Sequence, residues 1–180
     1  MNLYVMRHGT TVWNEIGRSQ GRSMNRLSQS GKALVEKVSE EYKDVPFEMI
    51  ISSPLMRTMQ TSNIMNRNHG VKIVKDEHLI EIDQGIFTGR LHKTFTEEEK
   101  QIRQRRDAKF GIESYQSVHK RVKKFLEGLK KNCKHKNVLV VTHNNVATLI
   151  EKTINDEKVD YSDYRGVNVF ANGEVKKFVI

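Results

Sequence analysis

Two short apolar segments of the chain are each followed directly by residues that suit phosphoryl chemistry. Arg7 and His8 come after Leu3–Met6, and His143 comes after Val138–Thr142. A guanidinium binds phosphate through two parallel hydrogen bonds, and a neutral imidazole is a competent nucleophile at pH 7. These residue types at the ends of two predicted strands indicate a site that holds a phosphoryl group.

A second arginine occupies a position that favours a bound anion. Ser53 and Pro54 predict the N-cap and first residue of a helix that runs to about Asn66, with Arg57 in its first turn. A cation there opposes the helix dipole, which is unfavourable unless an anion lies between them. The two arginines and two histidines, all at the ends of predicted strands, would repel one another unless something negative binds among them.

The strands that must position these residues are short. The continuously apolar run Val138–Val141 predicts a central strand that is buried on both faces. Asn172-Gly173 is a type I′ turn signal and predicts an antiparallel hairpin at the C-terminal end. The predicted strands are Leu3–Met6, Phe47–Ile51, Val71–Val74, Val138–Thr142, and the pair Val167–Ala171 and Glu174–Val179.

Helical patterns alternate with these strands. This alternation predicts an α/β fold, a three-layer α/β/α sandwich around a mostly parallel sheet, with the active site beyond the carboxyl ends of the strands. The patterns are the spacing of Leu34, Val38 and Tyr42, the segment after Ser53, the capping box of Thr96 and Glu99, the apolar stripe from Tyr115 to Leu129, and Asn145–Thr153.

The composition is that of one basic globular domain. The chain has 180 residues, with 31 Lys and Arg against 22 Asp and Glu, and a formal net charge of +9. No apolar run is long enough for a transmembrane helix, and no apolar block follows Met1-Asn2. We therefore expect a single cytoplasmic domain over residues 1–180 that does not bind membranes.

Lysine and arginine are especially dense between Lys100 and Lys136. The favoured interpretation is the solvated face of two helices, because runs of charge usually face water. The second is a positive field that attracts a phosphate-rich substrate. Nucleic acid is not an expected partner, since the lysine-rich stretches lack the interleaved aromatic residues of a base-stacking surface.

Six blocks of sequence occur in the order of a known family. The chain resembles the histidine phosphatase superfamily, which includes cofactor-dependent phosphoglycerate mutase and many small phosphatases. The resemblance implies a phosphoglycerate mutase-like fold. The blocks are Arg7–Asn14, Gly17–Gly21, Leu27–Gly31, Ser52–Thr61, Leu79–Gly85 and Val140–His143.

The resemblance also implies roles for the candidate catalytic residues. His8 would accept the phosphoryl group, while Arg7, Arg57 and His143 would neutralise its equatorial oxygens. Glu81 would protonate the leaving oxygen and later activate water. The neighbouring Asp83 is the local competitor for that role, and Glu81 is favoured because it holds the acid position of the family block. No metal and no cofactor are expected.

Four further residues are predicted to bind the phosphoryl group or the substrate. Thr11 and Asn14 match family positions that hydrogen-bond the phosphoryl group or substrate, and Gln20 matches a position on the substrate side. Asn144 follows the second histidine where glycine is usual in the family. Its backbone N–H still allows a phosphate contact there.

A phosphatase acting on a small phosphorylated metabolite is the leading functional hypothesis. The segment between Gly85 and Ile112 is expected to be a single polar helix, too short to close over a substrate and exclude water as a mutase requires. A cofactor-dependent phosphoglycerate mutase and a phosphohistidine protein phosphatase are the alternatives. A non-enzymatic binder of anions or nucleic acid is the least favoured. The sequence leaves the natural substrate open, together with the choice between monomer and homodimer.

Overall fold

One five-stranded sheet organises the molecule. The computed structural model describes residues 1–161 and 170–180. The strands lie in the order β3-β2-β4-β1-β5, where the first four run parallel and β5 runs antiparallel to β1. The strands are β1 (Asn2–Arg7), β2 (Met49–Ser52), β3 (Lys72–Lys75), β4 (Asn137–Thr142) and β5 (Val175–Val179).

Helices cover both faces of this sheet. Among the described residues, none of them is both long and apolar enough to cross a bilayer. The helices are α1 (Val12–Glu15), α2 (Gln29–Glu41), α3 (Met56–Met65), α4 (Glu97–Arg105), α5 (Tyr115–Asn132) and α6 (Asn144–Ile154).

The central strand β4 divides the core into two halves. Val138 and Val140 pack with the apolar stripe of α5 and with α6 on one face of the sheet. Leu139 and Val141 pack with α2 and α3 on the other face. Successive side chains of a strand point to opposite faces, so a strand buried on both must be apolar throughout. The predicted three-layer α/β/α sandwich is confirmed.

The predicted start of α3 is wrong. The helix begins at Met56 with Leu55 as its N-cap, and no side chain caps it. Ser53 is instead drawn into the loop after β2, where its hydroxyl contacts His143 Nε2 at 2.8 Å and its carbonyl accepts the Thr58 hydroxyl at 2.8 Å. A tertiary contact has therefore replaced the local capping bond, and Arg57 still lies in the first turn.

The predicted C-terminal hairpin falls partly outside the described residues, because Val167, Asn168 and Val169 are not among them. Glu174 N–H donates to Ala171 O at 3.1 Å, so Asn172-Gly173 does form a turn. It is not type I′, since φ is +77° at Gly173 while Asn172 is not among the described residues with positive φ. The Asn172 amide donates to His8 O at 3.1 Å, which anchors the turn against the loop after β1.

The segment from Gly85 to Ile112 is more than the single polar helix predicted for it. It combines α4 with the short 3-10 turns Gly85–Phe87, His92–Thr94 and Ala108–Phe110. Phe87, Phe95 and Ile112 form a separate apolar cluster, packed by Ile102 and Phe110. We call these residues the 85–112 segment; it lies over the carboxyl edge of the sheet, where it lines the site described below.

Backbone contact between α2 and the loop after β1 fixes the position of that loop. Ser28 N–H donates to Thr10 O at 3.0 Å, and an added Cβ at Gly31 would lie 1.9 Å from the same carbonyl oxygen. Only a residue without a side chain permits this approach. The loop that carries His8 therefore rests directly on the first turn of α2.

We predict that Gly31→Ala lowers the free energy of unfolding by about 1–3 kcal/mol, because the new methyl group would push the loop away from α2. Gly128→Ala is the matched control, since a Cβ there meets nothing within 4 Å and alanine favours the helix by about 1 kcal/mol. Denaturant unfolding of both variants measures the difference. Equal stability changes in the two would show that the close approach is not required.

Candidate active site

A cavity of about 440 Å³ opens at the carboxyl edge of the sheet. Seven of the nine sequence-predicted site residues line it: Arg7, His8, Asn14, Gln20, Arg57, Glu81 and Asn144. The remaining two, Thr11 and His143, are fully buried and are not part of this wall. Most of the cavity wall is polar or cationic, and within the described residues Glu81 is its only carboxylate.

The surroundings of His8 keep its imidazole neutral and leave one ring nitrogen unprotonated. Its Nδ1 lies 2.7 Å from Gly9 O, an acceptor, so Nδ1 carries the proton. Nε2 is then the unprotonated nitrogen, and it accepts the Nε–H of Arg57 at 3.2 Å. Burial, with the charges of Arg57 and Arg7, lowers the pKa of His8 well below 6.5. At neutral pH the group is therefore a potential nucleophile through Nε2.

Arg57 is a buried guanidinium whose hydrogen-bond acceptors, among the described residues, carry no charge. It is 1% exposed and donates to Ser23 O, Gly21 O and Asn25 Oδ1 at 2.9–3.0 Å. Burial lowers the pKa of Arg57 to about 10, so the side chain stays charged at neutral pH. Its neutral oxygen partners satisfy the N–H groups but leave the positive charge for an anion.

His143 and Arg7 each carry a buried nitrogen with no hydrogen-bond partner in the described part of the chain. These atoms are His143 Nδ1 and Arg7 Nε. The ring of His143 lies 5.2 Å from that of His8, between centroids, and Arg7 Nη1 donates to Phe170 O at 2.6 Å. Burial, followed by the charge of Arg57, lowers the pKa of His143 well below 6.5. A ligand or an ordered water can supply the hydrogen-bond partners of such buried atoms.

Glu81 presents a carboxylate to this cationic wall. Its Oε1 accepts the backbone N–H of Ile82 at 2.9 Å and the amide of Asn145 at 3.4 Å. Asp83, the competitor, does not line the cavity; its Oδ1 accepts the backbone N–H of Gly85 at 2.8 Å. The geometry therefore favours Glu81 as the group that can exchange a proton with a ligand in the cavity.

Arginine side chains clamp the loop that carries Glu81. Arg22 Nε donates to Glu81 O at 3.2 Å, and Arg106 Nη2 donates to Asp83 O at 2.9 Å. Glu113 accepts from both Arg22 and Arg121. Burial opposes ionisation of Glu113, but the hydrogen bond and charge of Arg121 outweigh it and lower the pKa of this carboxyl group. An ionic network thus fixes the acid-bearing loop.

Thr11 connects two of the predicted substrate-binding residues. It is the N-cap of α1, and its hydroxyl lies 2.9 Å from Asn14 Oδ1 and 3.0 Å from Gln20 Oε1. Asn14 and Gln20 line the cavity, whereas Thr11 is fully buried. Asn144, with Asn145, opens α6 at the cavity wall, where a helix N-terminus favours negative charge.

Several site residues were not predicted from the sequence. Ser53, which contacts His143, carried the signal of a helix cap instead. Lys100, Arg103 and Arg106 line the cavity, although the basic region was interpreted mainly as solvated helix faces. The only signal for them was the excess of positive charge itself, which indicates an anionic ligand but no position.

Comparisons with known proteins identify the relatives of this chain. The model of the histidine phosphatase superfamily, branch 1, matches residues 3–180. Phosphoserine phosphatase 1 of Hydrogenobacter thermophilus is 32% identical over 149 residues, which cover 79% of this chain and 71% of that protein. The probable phosphoglycerate mutase GpmB of Citrobacter koseri is 36% identical over 103 residues, covering 57% of this chain and 48% of that protein. The chain thus spans only about half the length of that mutase-named relative.

A solved structure shows the same fold. The mycobacterial glucosyl-3-phosphoglycerate phosphatase in complex with VO3 superposes with a TM-score of 0.84 at 21% identity, covering 98% of this chain and 91% of that one. The predicted phosphoglycerate mutase-like architecture is therefore confirmed.

We predict that the free energy of unfolding falls as the pH drops below 6.5. The folded-state pKa values of His8 and His143 lie below that of an unfolded histidine, so the unfolded chain binds more protons in this window. Each buried imidazole contributes a slope of up to about 1.4 kcal/mol per pH unit. Denaturant unfolding between pH 5 and 7.5 measures it.

His143→Gln should flatten this pH dependence, because it removes one imidazole that must stay neutral in the folded protein. His135→Gln removes an exposed imidazole and is the control. An unchanged slope in His143→Gln would mean that His143 takes up its proton as readily in the folded protein as in the unfolded chain.

Proposed function

The chain belongs to the histidine phosphatase superfamily, and from this membership we propose that it hydrolyses a small phosphate monoester through a phosphohistidine at His8. The observation that carries the proposal is a neutral, buried imidazole whose Nε2 lies at a cavity lined by guanidinium groups. Phosphoryl transfer needs positioning and charge neutralisation more than covalent chemistry from the protein. We propose that residues 1–180 act as one cytoplasmic catalytic unit, without a metal or cofactor.

In the first step, the Nε2–P bond forms while the ester P–O bond breaks. A phosphoryl oxygen would take over the Arg57 Nε–H that His8 Nε2 accepts in the free protein, which releases the lone pair for attack. The unpartnered nitrogens of Arg7 and His143 would donate to the other phosphoryl oxygens. Protonated Glu81 would give its proton to the leaving oxygen as the alcohol departs.

In the second step, water replaces the alcohol. The Glu81 carboxylate would accept a proton from water as its oxygen attacks phosphorus, and the Nε2–P bond would break. His8 would return to its neutral form, with Nδ1–H still donating to Gly9 O. Inorganic phosphate is then the product, and the catalytic groups regain their starting protonation states.

Water access favours hydrolysis over phosphoryl return to a second alcohol. The cavity wall includes Lys100 and Gln104, both on the exposed face of α4, so solvent reaches the site. A mutase must keep water from the phosphoenzyme. Phosphoglycerate mutase activity and action on phosphohistidine in proteins are therefore the alternatives to a simple phosphatase.

We predict that an aryl phosphate is hydrolysed in the presence of a chelator and that His8→Ala lowers kcat/KM by about 10³-fold or more, because the nucleophile is lost. His135→Ala, which removes an exposed imidazole, should leave the rate unchanged. Rapid quenching with labelled substrate should trap label on the parent protein in an acid-labile form. Equal rates in His8→Ala and the parent would refute the phosphohistidine route.

The role of Glu81 predicts a dependence on the leaving group. Glu81→Gln should lower kcat/KM, which covers only the steps through phosphoryl transfer to His8, by about 10²–10⁴-fold for an alkyl phosphate and much less for 4-nitrophenyl phosphate, whose leaving group needs no proton. Asp83→Asn, outside the cavity, is the matched control and should change both rates alike. If Glu81→Gln lowered kcat/KM equally for both esters, Glu81 would not be the proton donor.

A further inference from the structure

The outer part of the cavity carries a second set of cations. Arg18, Lys100, Arg103 and Arg106 line it, in addition to the arginines around His8. We call these four residues the outer cation group. Two of them already have oxygen partners: Lys100 pairs with Glu97, and Arg106 donates to Glu113 O, Gln84 Oε1 and Asp83 O.

Arg103 differs from these two because its guanidinium lies against two aromatic rings. Its guanidinium carbon lies 4.6 Å from the ring centroid of Phe95 and 5.9 Å from that of Phe87. Its Nε is buried and has no hydrogen-bond partner among the described residues. Burial lowers the pKa of Arg103, yet the side chain remains a cation at neutral pH.

Arg18 repeats this arrangement from a different part of the chain. Its guanidinium carbon lies 5.5 Å from the ring centroid of Trp13, and its Nε is also buried without a partner in the described ranges. The Arg18 backbone is fixed by a bond to Trp13 O at 2.8 Å and by a bridge to Leu91. Both side chains are thus held on aromatic faces at the same cavity.

The neighbouring Arg90 shows that the 85–112 segment can supply an arginine with a carboxylate partner. Arg90 also lies over Phe95, at 5.2 Å, but it makes two hydrogen bonds to the Glu99 carboxylate at 2.5 and 3.0 Å. No carboxylate serves Arg18 or Arg103 in this way within the described residues. A buried N–H group without an acceptor lowers the stability of the folded protein, unless a bound ligand supplies the acceptor.

We infer that Arg18 and Arg103 bind a second anionic group of the substrate. Resting on the proposed function, which places the transferred phosphoryl group at His8, this defines the substrate as a phosphate ester that also carries a carboxylate or a second phosphate. A planar guanidinium fixed on a ring recognises either anion through its N–H groups. The cavity of about 440 Å³ has the size of a small-molecule site rather than of a phosphate site alone.

Binding of matched, non-hydrolysable phosphonates tests this inference without relying on turnover. Titration calorimetry would compare ω-phosphonocarboxylates that have two, three or four methylene groups with alkylphosphonates of the same lengths. The α,ω-bisphosphonates form a third series and distinguish a second phosphate from a carboxylate. The parent protein should bind the best difunctional ligand about 10–100-fold more tightly than its monofunctional counterpart.

Three variants assign this preference to residues. Arg103→Gln and Arg18→Gln should each remove most of it while leaving the Kd of the alkylphosphonate within about twofold. Arg105→Gln is the matched control, because Arg105 is an exposed cation on α4 that does not line the cavity. Thermal unfolding of each variant checks that it folds. If Arg103→Gln disturbs the aromatic cluster, Arg18→Gln still tests the same site, because Arg18 does not belong to α4.

Each outcome decides the inference. Absence of a preference in the parent, its survival in both Arg18→Gln and Arg103→Gln, or equal weakening of both ligand types would overturn it. Hydrolysis of aryl phosphate without any preference would leave a phosphatase for simple monoesters. A clear preference without hydrolysis of any ester would instead refute the proposed function and retain the second anion site.

Discussion

A guanidinium buried without a carboxylate hydrogen-bonded to it is the constraint on which this site depends. Taking the charge of Arg57 out of water is costly, and hydrogen bonds to neutral oxygens of residues 21–25, together with the charge of Glu81, offset part of that cost. The buried charge therefore makes the cavity beside this loop electropositive. Burial, together with the same charge, lowers the pKa of His8, and Arg57 aims an N–H at the atom that would attack phosphorus. The site is therefore arranged for a dianion before any ligand arrives.

Charge pairs elsewhere in the site hold the backbone rather than the ligand. The Glu113 carboxylate accepts hydrogen bonds from Arg22 and Arg121, and Arg22 in turn donates to the backbone carbonyl of Glu81. The acid therefore sits on a loop whose position is set from α5, through an ionic contact that is partly shielded from water. Such contacts limit the movement of the carboxylate relative to His8, which electrostatic catalysis requires.

The fold and the inner site could be predicted because their signals are local. The apolar run of β4 defines a buried central strand, and residues that follow parallel strands meet at one edge of the sheet. Ser53 could not be predicted, because Ser-Pro is a capping signal and only the tertiary fold brings it to His143. Arg103 could not be predicted either, since its contacts with Phe87 and Phe95 arise only when the 85–112 segment folds on itself.

The separate apolar cluster of the 85–112 segment has an energetic consequence. Phe87, Phe95 and Ile112 bury their surface against one another, apart from the two clusters that flank the sheet. Opening of this unit would break its own apolar cluster and its hydrogen bonds to residues 17–19 and 83 but would leave the two clusters on the sheet intact, so we expect its amides to exchange with solvent more readily than those of β4. Substitutions in it can accumulate without unfolding the sheet that holds His8. The 85–112 segment can therefore vary in sequence while the sheet that holds His8 keeps its structure.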